Sequence, residues 1–495
     1  MIYESTRGRA TERSVSEAII QGIAEDGGLY VPKSFPQLGT IDATFADMDY
    51  ISLAHLVLRP FFSEFSDSEL LECMRGAYGS GFDCEETVPL VSAGDANFLE
   101  LYHGPTAAFK DMALQLMPHL MSASLDKCGE KKDVCILVST SGDTGMAALK
   151  GFEDVARTLI IVFFPADAVS PVQEMQMRSA GGSNVRVFGI RGNFDDAQRA
   201  QKAMLVDEDL ARKAAGLGYR FSAANSMNIG RLLPQIVYYV RGYAAMIAAG
   251  RIKAGEKINI CVPSGNFGNI LSAYYAKKMG LSVNKLICAS NENRVLTDFF
   301  ESGIYDANRP LFVTNAPSMD IIVSSNLERL LYHASGGDAE QIRRLMTELS
   351  EKRRYELPSD IRAGLSDFAA GYATEKEVLE AIGDVYREFD YLMDTHTAVA
   401  YKVWEDYRER SGDDIPTIIA STASPYKFAE DVCRAIGADF CEGVSAVRSL
   451  HSACGIKIPE PLADLENRRI VHDTTIGRED MKAAVEAVLS SFASR

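Results

Sequence analysis

From Asp133 onward, short apolar runs rich in β-branched residues alternate with stretches of helical period. "DVCILVST" precedes "GMAALKGFEDVA", "TLIIVFFP" precedes "VQEMQMRSA", and "NVRVFGI" precedes "FDDAQRAQKAML". Continuous apolar strands separated by helices predict βαβ units and a parallel sheet covered on both faces. The apolar stretch 234–250, "PQIVYYVRGYAAMIAAG", predicts a buried helix, because Arg241 interrupts it and it is short for a membrane span. A second series comes after it: "INICVPS" then "NILSAYYAKKMG", next "KLICAS", and later "IPTIIAST" then "KFAEDVCRAIG". The pattern therefore predicts an α/β protein with two doubly wound halves, whose ligands sit at the carboxyl ends of strands.

The rest of the pattern divides the chain further. Before residue 95, "AEDGGLYVPKSFPQLG" is rich in Gly and Pro and leads into helix-like segments, which predicts an N-terminal unit of its own. Residues 320–390 are charged and helical, with capping boxes predicted at Ser325–Glu328 and Thr374–Glu377, and read as a helical insertion. The expected divisions are 1–95, a first α/β domain at 96–240, a second at 241–440 containing the insertion, and a C-terminal segment at 441–495.

Composition narrows the function classes. At 495 residues the chain exceeds the size of a single core, and its 47% hydrophobic and 24% charged residues are ordinary globular usage. A net charge of -17 repels phosphate backbones and anionic lipid, so neither nucleic acid nor membrane is expected as a partner. The polar N-terminus predicts no secretory signal, and nine cysteines without a CxxC pair predict reduced thiols and a cytoplasmic location. No HExxH or Cys/His spacing suggests a metal.

Four stretches carry candidate chemistry. "VPSGNFGN", 262–269, joins a strand to a helix, where backbone amides and the helix dipole favour an anion. It is neither GxxxxGK[ST] nor GxGxxG, and a plain tight turn is the alternative. "STSGDTG", 139–145, offers Ser139, Thr140, Ser141 and Thr144 as donors for a carboxylate, or as helix N-cap residues. Asp143 among them would repel an anion unless it faces a hydroxyl or a cation. In "HGPTAAFKDMALQ", 103–115, Lys110 sits among apolar neighbours: either desolvation makes its amine a nucleophile and base, or its stem lies on Phe109 with the ammonium in water. "IIASTASPYKF", 418–428, ends a buried strand in Ser421 and Thr422, which either meet a ligand ring nitrogen or cap the next helix.

A Schiff-base lysine, a phosphate loop, a carboxylate loop and a strand-end hydroxyl together form the inventory for pyridoxal phosphate and an amino acid. The same stretches, with "EMQMRSAGGSN", "NSMNIGRLLPQIVYY" and "DTHTAVA" between them and "YESTRG" and "EDGGLYVP" near the start, occur in the order in which they occur in the threonine synthase family, which the chain resembles over nearly its whole length. The resemblance implies a fold-type II pyridoxal-phosphate lyase of the tryptophan synthase β-like architecture. Its substrate would be O-phospho-L-homoserine, converted with water to L-threonine and phosphate.

Carried over by position, Lys110 matches the cofactor-binding lysine, whose freed amine also moves protons at the substrate carbons. Ser264, Gly265, Asn266, Phe267, Gly268 and Asn269 match the cofactor phosphate loop, and Asp143 the position beside the ring hydroxyl. Thr422 matches the partner of the pyridine nitrogen, with Ser421 as the near alternative. Ser139, Thr140, Ser141 and Thr144 are expected at the substrate carboxylate, and Arg178, Asn225, Asn228 and Arg231 at its phosphate. Thr395, Ser424 and Tyr426 depart from the family pattern at the rim. The rival readings are a related enzyme that releases phosphate and 2-oxobutyrate, and a non-catalytic metabolite-binding protein. A monomer or small homo-oligomer is expected.

Overall fold

The computed structural model describes residues 1–140, 142–166, 169–192 and 194–493. Fifteen strands are formed among them. Strands β1 (Tyr3–Ser5) and β2 (Tyr30–Pro32) make a small antiparallel pair near the N-terminus. Strands β3 (Leu90–Ala93), β4 (Ala96–Glu100), β9 (Ile258–Pro263), β10 (Val283–Ser290), β13 (Phe368–Tyr372) and β14 (Thr417–Ser421) form a six-stranded sheet in the order β13-β10-β9-β14-β4-β3. Strands β5 (Asp133–Ser139), β6 (Thr158–Pro165), β7 (Val185–Arg191), β8 (Tyr219–Ser222) and β15 (Thr475–Gly477) form a five-stranded sheet in the order β15-β7-β6-β5-β8. Strands β11 (Ile304–Asp306) and β12 (Arg354–Glu356) make a second small antiparallel pair.

Both large sheets are parallel except where β3 turns back along β4. Rows of side chains cross them in register. Asn97, Ile418, Ile260, Leu286 and Phe368 align across the larger sheet, and Ser222, Ile136, Ile160 and Val185 across the smaller. Strand β6 is buried along its whole length, which explains its unbroken apolar run, because helices cover both faces of a parallel sheet.

Three features differ from the sequence expectation. The N-terminal residues share a core with the rest: Leu53, Phe61 and Leu70 are buried in one cluster with Leu120, Tyr238 and Val240. Arg241, the one charged residue within the continuous helix Ile236–Ala248, donates to the carbonyls of Phe45, Ala46 and Met48, so it ties that helix to the N-terminal segment. Strand β4 lies in the larger sheet although helices and strands of the smaller sheet come directly after it, so the chain begins in one sheet, builds the other and returns. Within 320–390, β13 extends the edge of the larger sheet instead of belonging to a purely helical insertion.

The two predicted capping boxes also part ways. The box at Thr374 and Glu377 forms. The box at Ser325 does not, because Glu328 is taken by Thr6 Oγ1 at 2.6 Å and by the Arg7 guanidinium at 2.9 and 3.0 Å. A tertiary charge-assisted bond outcompetes the local motif.

Candidate active site

Strands β5, β8, β9 and β14 end at one cleft between the two large sheets, and its lining contains Lys110, Asp143, Arg231, Ser264 to Asn269 and Thr422. Lys110 is held there by stitching of its own segment to the end of β14. Phe109 N donates to Thr422 O at 2.8 Å, and Ser424 N donates to Ala107 O at 3.1 Å. Asp111, next to the lysine, accepts Thr106 N at 2.8 Å and Thr106 Oγ1 at 2.7 Å. Burial pushes its carboxyl up to about 6, against the lowering effect of those two bonds.

Lys110 does not reach out to water. It is 7% exposed, and its Nζ donates to Asp143 Oδ2 and to Ser318 Oγ, each at 3.2 Å, 5.0 Å from the Phe109 ring centre. Burial lowers its pKa, Asp143 opposes that, and the nearby cations Arg231 and Lys427 reinforce it; the net direction is down. Asp143 itself also accepts Lys427 Nζ at 2.8 Å and Gln173 Nε2 at 2.9 Å. Burial raises its carboxyl, but Lys427 and Lys110 outweigh this and hold it well below the usual carboxylate range.

The anion loop has the features of a cradle. Phe267, in a left-handed conformation at φ 62°, turns the chain from β9 into the helix Gly268–Lys278. The first turn of that helix points amides without intrahelical partners at the cleft. A Cβ on Gly265 would lie 2.7 Å from Ser318 O, so only glycine lets the loop pass under the segment that carries Ser318. Asn269 accepts both Tyr238 and Tyr239 hydroxyls on Oδ1, while its buried Nδ2 has no partner.

Arg231 lies opposite, buried, donating to Ala224 O at 3.2 Å and approaching Thr144 Oγ1 at 3.5 Å. No carboxylate pairs with it among the described residues, and burial lowers its pKa to about 10. A guanidinium in that position is charged at neutral pH and lacks an anion.

The remaining sequence candidates fall into two groups. Asn225, Ser139, Thr140 and Thr144 line the cleft. Within that group Thr140 is already occupied, because its hydroxyl accepts Gly142 N and Gly145 N and organises the turn. Ser139 Oγ donates to Ala197 O at 3.0 Å. Ser421 turns into a buried network with Thr397 and Tyr391, which leaves Thr422 as the strand-end residue facing the cleft. Ser141 lies outside the described residues.

Two candidates are not brought to the cleft. Arg178 pairs with Glu174 at 2.7 Å and bonds His472 O and Thr475 Oγ1, so it anchors the C-terminal segment. Asn228 is spent inside the fold, where it caps Gly230 N and donates to Ile19 O and Ala223 O. Among the family departures, the Thr395 hydroxyl donates to Asn315 O at 2.7 Å, and the Tyr426 hydroxyl turns away to Ile456 O.

Sequence reasoning missed three contributors. Ser318 arrives on a segment with no recognisable motif; its N donates to His396 Nε2 at 3.1 Å, and His396 Nδ1 meets Asp394 Oδ2 at 2.7 Å. Lys427 carried a signal like that of Lys110, a lysine in an apolar stretch, here between Tyr426 and Phe428, and is 1% exposed. Gln173 gave no signal.

Three family models match the chain: "Threonine synthase N terminus" at residues 2–78, "Pyridoxal-phosphate dependent enzyme" at 98–421, and "Threonine synthase, C-terminal" at 397–488. Threonine synthase-like 1 of Homo sapiens is 38% identical over 450 residues, which cover 88% of this chain and 59% of that one. The chain thus spans under two thirds of the length of those relatives. Threonine synthase of Saccharomyces cerevisiae is 36% identical over 466 residues, 88% of this chain and 89% of that one. The solved structure of pyridoxal-phosphate-bound threonine synthase from Brucella melitensis superposes over 100% of both chains with a TM-score of 0.87 and 36% identity. Threonine synthase from Escherichia coli gives a TM-score of 0.75 at 25% identity, over 99% of this chain and 100% of that one.

Proposed function

The chain belongs to the threonine synthase family of pyridoxal-phosphate-dependent enzymes, and from that premise we propose that it is a lyase converting O-phospho-L-homoserine and water to L-threonine and phosphate. The observation that carries this reading is the charge of the cleft. In a protein of net charge -17, the carboxylate of Asp143 faces two buried cations, Lys110 and Lys427, and Arg231 lies across the same cleft with no carboxylate partner among the described residues, while the cleft's other carboxylate, Asp320, is bonded to Asn291, Asn293 and Thr314. Such a site calls for anions, and a phosphorylated cofactor and a phosphorylated amino acid supply them.

The residues fit pyridoxal phosphate. The loop Ser264–Asn269 offers amides at a helix start and the unpartnered Asn269 Nδ2 for its phosphate, beneath a backbone that only Gly265 allows. Lys110 presents the amine that would bond to it, Asp143 lies beside that amine, and Thr422 offers a neutral hydroxyl at the strand end. Bound there, the cofactor supplies a conjugated ring that draws electron density from the carbon bearing the substrate's amino group.

The chain's own residues do the rest. Lys110 Nζ, once released, stays within reach of the substrate carbons, and desolvation keeps it able to take a proton there and return it. Thr144, which lines the cleft on the same turn, offers its hydroxyl to the substrate carboxylate. Arg231 and Asn225 receive the γ-phosphate and hold it as it leaves, the step at which negative charge grows.

Borohydride reduction of the purified protein and subsequent peptide mapping test the cofactor site, with the label expected on Lys110. Product analysis with O-phospho-L-homoserine tests the reaction, with threonine and phosphate expected in equal amounts. A second reading draws on the similarity to threonine synthase-like 1: phosphate release with 2-oxobutyrate and no threonine. That product set would replace the first reading.

A further inference from the structure

One carboxylate faces two lysines. Lys427 Nζ lies 2.8 Å from Asp143 Oδ1 and Lys110 Nζ lies 3.2 Å from Oδ2. Their surroundings differ. The Lys427 side chain is wholly buried, its further bond is to Thr106 O at 2.9 Å, and it does not line the cleft. It therefore has no path to substrate or cofactor. Lys110 faces the cleft, and its other partner is the hydroxyl of Ser318.

In a dry site one negative charge compensates one cation well, and the shorter contact with the additional carbonyl acceptor is the stronger claim on it. The charged groups around Lys110 come from several elements: Asp143 from the helix Asp143–Phe152, Arg231 from the turn Ile229–Leu232, and Lys427 from the turn after β14. His396, at the start of its helix, acts on Asp143, Asp111 turns its carboxyl to Thr106, and Asp320, two residues after Ser318 and also lining the cleft, turns its carboxyl to Asn291, Asn293 and Thr314.

We propose that Lys427 is a positioning residue, the partner that satisfies and fixes Asp143, so that the same carboxylate does not hold Lys110 as an ammonium ion. This rests on the reading that Lys110 is the cofactor-binding amine, and it adds to burial and Arg231 a further reason why that amine is available. Without Lys427, Asp143 would have Lys110 as its nearest cation, and the amine would keep its proton to higher pH.

The test is trace acetylation of the full chain with acetic anhydride across a pH series, after any bound cofactor has been removed with hydroxylamine and dialysis, with Lys110 tracked by peptide mass spectrometry. The same preparation is then treated with pyridoxal phosphate and reduced with borohydride. Wild type is expected to show a Lys110 midpoint below the ~10.4 of an ordinary lysine. K427M is expected to raise it by about one to two pH units, and K427R to restore it. An unchanged midpoint in folded K427M overturns the proposal. Should K427M fail to fold, a wild-type midpoint at or above that of the surface lysines overturns it equally. Failure of the cofactor reading shows differently, as absence of a reducible link to Lys110 while the acetylation midpoints still shift.

Discussion

Gly151 sets how closely the two halves of the Lys110–Asp143 pair approach. It lies near the end of the helix Asp143–Phe152, and a Cβ built on it would stand 1.9 Å from the carbonyl oxygen of Leu114, in the helical turn just after Lys110. Real Cβ contacts do not fall below 3.0 Å, so Gly151→Ala forces the two elements apart by at least about 1.1 Å. Both are buried and packed on all sides, so the strain is not relieved by a surface shift. Overpacking of this kind costs on the order of 1–3 kcal/mol. The same opening lengthens the 3.2 Å contact between Lys110 Nζ and Asp143 Oδ2 beyond hydrogen-bond range, and a misplacement of about 1 Å in a catalytic group lowers rate by roughly 100-fold. Urea unfolding and steady-state turnover of phosphohomoserine measure the two effects. Gly216→Ala is the control: Gly216 ends a surface helix with nothing within 4 Å of its Cβ, and alanine there should leave activity alone and stability equal or slightly higher. If Gly151→Ala keeps wild-type stability and turnover, close helix approach is not what places Lys110.

Two further outcomes derive from charges. Arg231→Met removes a buried cation that has no carboxylate partner among the described residues, so unfolding free energy should hold or rise while kcat/KM for the phosphorylated substrate falls by roughly 100-fold or more; equal loss of stability and activity would assign Arg231 a structural role instead. His103 behaves oppositely to a free histidine. Burial lowers its pKa, but bonds to Asp83 at 2.7 Å and Glu100 at 2.9 Å outweigh this and raise it to about 9. A folded pKa above the unfolded 6.5 means the stabilisation is present in full below pH 6.5 and is lost as pH rises toward 9, up to about 3 kcal/mol. Urea unfolding of wild type and His103→Gln at pH 6 and above pH 9 should show a gap that closes with pH, and a constant gap refutes the assignment.

What the sequence made legible was local and repetitive. The alternation of apolar strands with helices is written in consecutive residues, and the loops 139–145 and 262–269 sit at strand ends because each comes directly after its strand. Pairings between distant segments left no such trace. That β4 leaves its neighbours in the chain to join β14 depends on a register between Asn97 and Ile418, and no periodicity encodes a partner more than three hundred residues away. The cap at Ser325 failed for the same reason: Glu328 met Thr6 and Arg7, a competition invisible within the four-residue motif. Arg178 had the right charge beside a recognisable stretch, yet Glu174 one helical turn earlier was positioned to neutralise it, and that i,i+4 spacing was in the sequence to be read.

Lys110 and Lys427 show where the boundary lies. Lys110 follows an apolar triplet and Lys427 stands between two aromatic residues, so each alone reads as a buried lysine or as one lying along the surface, and the sequence does not separate the two outcomes. What separates them is the count of charges that meet at one point. A lone lysine against Asp143 would form a balanced pair, in which the carboxylate opposes the lowering that burial imposes on the amine. The second lysine breaks that balance, and Arg231 across the cleft adds a third cation, so the site holds an excess of positive charge that favours a neutral amine and an incoming anion at once. Chemistry of this kind resides in a sum over groups from separate elements. A sequence names the groups, and only their convergence at the ends of β5, β8, β9 and β14 assigns them a common task.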